Sequence, residues 1–267
     1  MKRRIAASWY FGAACLLGGL LVLAACAPSS GVSSSSSSST SVSTAQATQV
    51  LSRVRQANLQ HAQVSTHETL TTSNNKLTSK SSGEVQLKPT FASQLSTTSH
   101  ATNHQVHTRE VIQANTIYVQ RNGESTWYAF SLPQATNRSS GTSTSTNAGS
   151  TTGALLPMIS LQNLASLSSP QVVSSNEVLN GKPTYHIRGT GKQTINNPSA
   201  GSLNGQTISY TEDLWVDKAN YQPYQVTFTA HLPMGKLDST TSFSNWNSSN
   251  FTAITSPPAS QVKQIGG

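Results

Sequence analysis

The sequence predicts an α+β protein, with one large antiparallel sheet and helices packed on one of its faces. Three observations carry that expectation. Turn signals recur at Asn74-Asn75, Pro89, Asn103, Asn122-Gly123 and Asn180-Gly181, and they separate segments rich in Thr, Val, Ser and Gln. Within those segments apolar and polar residues alternate, the period of a half-buried strand. Two stretches break that period and carry apolar residues at helical spacing, one over 45–60 and one over 155–167.

The chain has 267 residues, room for one large domain or two small ones. Charged residues make up 10%, against about 25% in an average soluble domain. No dense Lys/Arg cluster suggests a nucleic-acid binder, and so uncharged a composition is unusual for a cytosolic enzyme. The net charge of +8 includes Lys2, Arg3 and Arg4, so loss of the N-terminus would leave +5.

Residues 1–26 carry the most information. The basic Lys2-Arg3-Arg4 precedes an apolar run from Ile5 to Ala25, and Leu23-Ala24-Ala25-Cys26 closes it. Small residues before a Cys, after an apolar core, form a bacterial lipobox. The Cys26 thiol would take a diacylglyceryl group, and cleavage before it would release residues 1–25 as a signal peptide. Cys15 leaves with that peptide, so the mature chain has one Cys, lipidated, and neither a disulfide framework nor a Cys-based metal site. Together with Cys26, residues 27–44 (APSSGVSSSSSSSTSVST) read as a flexible tether over 26–44, a few tens of ångströms long as a coil.

A single folded domain is expected over 45–267. Thr44 is the expected N-cap of the first helix, whose stripe is Val50, Leu51, Val54, Ala57 and Leu59. Strands follow from about residue 62. Val111, Ile117 and Val119 share one parity, and Asn122-Gly123 turns a hairpin between Thr116–Gln120 and Ser125–Phe130. The low-complexity segment 134–153 is expected to be a disordered surface loop. Beyond it, Leu155, Leu156, Ile159, Leu161, Leu164 and Leu167 predict a short apolar helix whose start Pro157 limits. The C-terminal strands are Val172–Val178, Pro183–Gly189, Thr207–Asp217, Tyr224–Leu232, Asp238–Asn245 and Phe251–Ile254. Tyr185 with Ile187, Leu214 with Val216, and Tyr224 with Val226 and Phe228 mark one apolar sheet face.

The run "NEVLNGKPTYHIRGTG" (176–191), then "EDLWVDKANYQPYQVTF" (212–228), then "STTSFSNWN" (239–247) ahead of "PPAS" (257–260) resembles the LppX/LprAFG-like bacterial lipoproteins. Their fold is similar to that of the LolA/LolB lipoprotein carriers. The resemblance covers roughly 45–260, and the 134–153 loop departs from it. It implies a half-open barrel of about eleven antiparallel strands, with helices packed on the concave face. It also implies a hydrophobic cavity between sheet and helices that takes the acyl chains of a lipid, glycolipid or lipidated molecule. The expected cavity residues are Val111, Ile117, Val119, Leu161, Leu164, Tyr185, Ile187, Leu214, Val216, Tyr224, Val226 and Phe228. From the residues alone, a sheet face with helices on it is more often a closed core than a ligand cavity, and the resemblance reverses that preference.

Other chemistry finds little support. His100, His104 and His107 would share one side of a helix and could then hold a metal, but their Thr- and Asn-rich surroundings read as a hairpin. Asp213 and Asp217 share parity with Trp215 and oppose Leu214 and Val216, which places them on the solvent face. No G-x-S-x-G elbow, P-loop, HExxH or CxxC occurs. The expectation is a non-enzymatic lipoprotein on the extracytoplasmic face of a bacterial cell membrane, monomeric and without cofactor or metal. Its expected partners are the membrane through Cys26, a lipid or glycolipid ligand and an envelope transporter, not nucleic acid. The alternative is an interaction or sensor module with a closed core that binds an envelope protein.

Overall fold

The computed structural model describes residues 38–101, 104–113, 116–131, 169–194 and 206–265. The lipobox, Cys26, the loop 134–153 and the expected helix 155–167, with Leu161 and Leu164, lie outside the described residues.

One helix, α1 (Ser38–Gln56), opens the described chain. Its buried Ala47, Val50, Leu51 and Val54 recur at i, i+3, i+4 and i+7, the stripe a sheet-packed helix needs. Arg53 and Arg55 occupy the last turn, where cations favour the helix dipole. The helix begins at Ser38 rather than near Ala45, so Thr44 is not its cap. No Gly or Pro interrupts 38–44, and Ser43 Oγ donates to the Val172 carbonyl at 3.0 Å. The helix stops at Gln56, earlier than the expected residue 60.

Twelve strands follow. They are β1 (His61–Thr72), β2 (Lys76–Gln86), β3 (Ala92–Ala101), β4 (His104–Gln113), β5 (Thr116–Arg121), β6 (Trp127–Ser131), β7 (Gln171–Leu179), β8 (Lys182–Thr194), β9 (Thr207–Asp217), β10 (Pro223–Leu232), β11 (Gly235–Ser244) and β12 (Val262–Gln264). They form one sheet in the order β12-β6-β5-β4-β3-β2-β1-β11-β10-β9-β8-β7. The chain walks outward from β1 to β6, then returns from the other edge, so β11 closes against β1. Every pairing is antiparallel except β12 on β6.

The expected half-open barrel of about eleven antiparallel strands holds in part: the sheet is open, edged by β7 and β12, but it has twelve strands, is mixed through β12, and carries one described α-helix rather than several. The expected strand Phe251–Ile254 is irregular instead. Phe251 and Ile254 pack with Ala92, Val111, Tyr118 and Trp127 on the face opposite α1. Short polar runs such as "NSSN" leave those residues with side-chain packing but no ladder partner.

Alternation sets the two faces. On β1, Ala62, Val64, Thr66, Glu68 and Leu70 are buried while Gln63, Ser65 and His67 are exposed. Pairing extends the buried parity across the sheet through Val85, Leu95 and Ile112 on one side and Phe243, Val226 and Leu214 on the other. This is the helix face.

Candidate functional site

The helix face is apolar at both ends and polar between them. At the near end, Val64, Val85, Leu95, Ile112, Ile117, Ile187, Leu214, Val216, Val226 and Phe243 pack with the four buried residues of α1. At the far end, Leu70, Ile208, Ala230, Leu232 and Leu237 form a second cluster, edged by Leu77, Tyr210 and Phe228. Among the described residues, none of α1 belongs to it. Tyr210 and Phe228 stack with ring centroids 5.5 Å apart. The Tyr210 ring lies against Gly191, where a Cβ would collide with it.

A polar belt separates the clusters. Register places Glu212, Phe228, Ser239, Glu68, Ser79 and Ser99 in one cross-strand row from β9 to β3. The next row toward α1 holds Thr241, Thr66, Ser81 and Thr97. Its hydroxyls bond in pairs: Thr66 with Thr241 at 3.1 Å, and Ser81 with Thr97 at 2.9 Å. Glu68 and Glu212 are each 3% exposed, and one carboxyl oxygen of each has no hydrogen-bond partner among the described residues. Burial pushes both up to about 8, and the neighbouring Asp213 charge adds to the effect at Glu212. Near neutral pH both are protonated and able to donate. Three strand spacings separate them, about 14 Å.

The expected cavity residues divide among these regions. Ile117, Ile187, Leu214, Val216 and Val226 are buried in the near cluster, with Val119 and Tyr185 at its margin. Phe228 borders the far cluster. Val111 lies on the opposite face under the C-terminal tail, a correction to the parity argument. The β4–β5 pairing sets Val111 against Tyr118 and Ile112 against Ile117, because a hairpin turn does not carry odd-even parity across itself. Tyr224 sits at an irregularity between Pro223 and Gln225, which turns it away from Val226. Its hydroxyl donates to Asp217 Oδ2 at 2.8 Å, and Lys182 Nζ lies 5.1 Å from its ring centroid. Burial is the chief cause raising the Tyr224 hydroxyl pKa.

Asp213 and Asp217 take the expected face, but neither is solvated, at 9% and 5% exposure. His186 faces Glu177 Oε2 with Nδ1 at 2.8 Å and Asp213 Oδ1 with Nε2 at 2.7 Å, while its ring stacks on Trp215. Arg188 Nε donates to the same Asp213 oxygen at 2.7 Å. Asp217 accepts from Ala219 N at 2.7 Å as well as from Tyr224. These groups are paired to one another, as a structural lock requires. Among the described residues no group of three His, Cys, Asp or Glu is placed to hold a metal.

Sequence reasoning missed Glu68 and the hydroxyl belt. The signal was present: in "AQVSTHETL" (62–70) the parity of Ala62, Val64 and Leu70 also holds Thr66 and Glu68.

No protein-family model matches the chain, and no curated protein matches it. Among solved structures it is similar to LprF from Mycobacterium bovis, at 14% identity and a TM-score of 0.44, over 80% of this chain and 97% of that one. It is also similar to the LolA superfamily protein NE2245 from Nitrosomonas europaea, at 13% identity and a TM-score of 0.24, over 74% and 91%. A third is the MucA/MucB complex from Pseudomonas aeruginosa, at 13% identity and a TM-score of 0.32, over 76% and 56%. LprF and the LolA superfamily are the groups named by the sequence resemblance.

Proposed function

We propose that the chain is a non-enzymatic envelope lipoprotein, anchored through Cys26, that binds acyl chains of a lipid, glycolipid or lipidated molecule at the far end of its helix face. One observation carries this reading. The sheet builds two apolar clusters on that face, and α1 packs into only one of them. Acyl chains laid on the second would gain about 0.8 kcal/mol per buried CH₂. The neutral carboxyls of Glu68 and Glu212 would donate to ester or hydroxyl oxygens at the point where the chains meet a head group.

Low exposure at the far end, 1% at Ile208 and 2% at Leu237, supports a second reading. There the face is filled, and the protein works through a protein partner.

The two readings separate in one experiment. The chain with Cys26→Ser is purified from bacteria and measured by native mass spectrometry, with organic extraction of what co-purifies. Near-stoichiometric phospholipid or glycolipid is the result expected. A clean apoprotein that also refuses a fluorescent fatty acid would overturn the first reading and favour the second.

A further inference from the structure

The protein buries most of its carboxyls and displays its lysines. All nine carboxyl side chains of the sequence lie among the described residues, and five of them are buried: Glu68, Glu110, Glu212, Asp213 and Asp217. The lysines and histidines of the far rim, by contrast, are exposed, and register gathers them. A single cross-strand row runs Lys192, Ser209, His231, Lys236, Thr71, Lys76 over six strands from β8 to β2. It lies on the face opposite α1 and spans about 24 Å. Four residues along β2 from Lys76, Lys80 pairs across to His67 in a second row. The carboxylate within this patch is Asp238, already bonded to Lys236 at 2.7 Å and to Thr229 at 2.9 Å. Lys76, Lys80 and Lys192 have no ion-pair partner among the described residues.

An apolar tip stands beyond the row. Met234, in the β10–β11 turn, is 39% exposed beside His231 and Lys236. An exposed methionine beside Lys236 and His231 gains nothing from a soluble polyanion. It gains burial against a bilayer, while the lysines meet the head groups.

We infer that this rim, the Lys192–Lys76 row with Met234 beyond it, docks on an anionic bilayer surface. The attraction is additive at about 1 kcal/mol per Lys near such a surface and falls off within a Debye length. The inference does not depend on whether the helix face holds a ligand. It assigns to the cationic face a role separate from the lipid anchor, that of setting how the sheet stands on the membrane.

The test uses the full-length chain with Cys15→Ser and Cys26→Ser, carrying Met234→Cys as its one cysteine, labelled with a polarity-sensitive dye. The dye is expected to shift to the blue with vesicles containing phosphatidylglycerol, and not with pure phosphatidylcholine vesicles. Added salt should reverse the shift. The same label at Val178, at the opposite end of the sheet and 64% exposed, should stay in water. Lys76→Gln, Lys80→Gln and Lys192→Gln together should weaken vesicle affinity about a hundredfold, with circular dichroism confirming an intact sheet. The inference is overturned by equal shifts with both vesicles, by no shift, or by triple-variant affinity equal to the parent's. Lysine-dependent binding of soluble polyphosphate with no vesicle shift would also overturn it and give the patch to a polyanion.

Discussion

The far end of the helix face is built from five of the strands that also build the near end, and the two ends differ in what meets them. At the near end, residues from nine strands converge on α1, and Ile187, Leu214 and Val216 are fully buried. At the far end, a smaller cluster stands behind two uncharged carboxyls and a ladder of hydroxyls, with aromatic Tyr210 and Phe228 at its edge. The difference teaches where stability and binding separate. The near end is a core in the ordinary sense, whereas the far end carries polar atoms a pure core would not choose.

The strongest way to break this comparison is to truncate one side chain at each end. Leu214→Ala should cost about 3 kcal/mol in urea unfolding, because it leaves a cavity under α1. Phe228→Ala, at a half-buried position, should cost about 1 kcal/mol yet lower fatty-acid binding severalfold. Equal stability losses with unchanged binding would erase the distinction.

The carboxyls sharpen it next. Glu68 and Glu212 hold folded pKa values of about 8, above the ordinary 4.5. The folded protein therefore keeps protons that the unfolded chain releases. Stability from this source is fully present below about pH 4.5 and is lost as pH rises toward 8. Glu68→Gln and Glu212→Gln should remove that slope. Each should gain on the order of 2 kcal/mol over the parent at pH 8 and little at pH 4.5. A parent and variants with parallel stability curves across that window would refute the buried protonated state.

Alternation made much of this legible in advance. Strands β5 to β11 were visible because Thr- and Val-rich segments are bounded by turn residues, and Asn180-Gly181 does turn β7 into β8 with both residues at positive φ, whereas the short β12 carried no such signal. The parity of Leu214 and Val216 placed them correctly on one face. Three features were hidden for physical reasons. Parity does not pass through a hairpin, so Val111 was assigned to the wrong side. A local irregularity at Pro223 rotates Tyr224, and no composition signal marks it. Long-range pairing makes β11 the partner of β1, and only that pairing brings Glu68 into one row with Glu212. The carboxylates on the opposite face were read as solvated because a strand pattern reports direction, not what covers it. His186, stacked on Trp215, and Arg188 bond Asp213 instead. His186→Ala should therefore cost about 1–2 kcal/mol by leaving a buried carboxylate with fewer donors, and fatty-acid binding on the helix face should not change.

The hydroxyl belt supplies the finest contrast. Thr66 and Thr241 are 2% and 3% exposed and share a 3.1 Å hydrogen bond across β1 and β11. Thr66→Val keeps the shape and strands the Thr241 hydroxyl in an apolar site, which should cost about 1 kcal/mol. Thr241→Val should cost the same for the mirror reason. The double variant leaves no unmet polar atom and extends the near-end apolar surface toward Glu68, so its stability should return to within about 0.5 kcal/mol of the parent. If the hydroxyls serve only each other, ligand binding will follow stability and recover in the double variant. If they face the head group of a bound amphiphile, binding will stay low while stability recovers, because the acceptors and donors that the ligand used are gone. That split, read by urea unfolding and fatty-acid titration on the same four proteins, decides whether the belt belongs to the core or to the site.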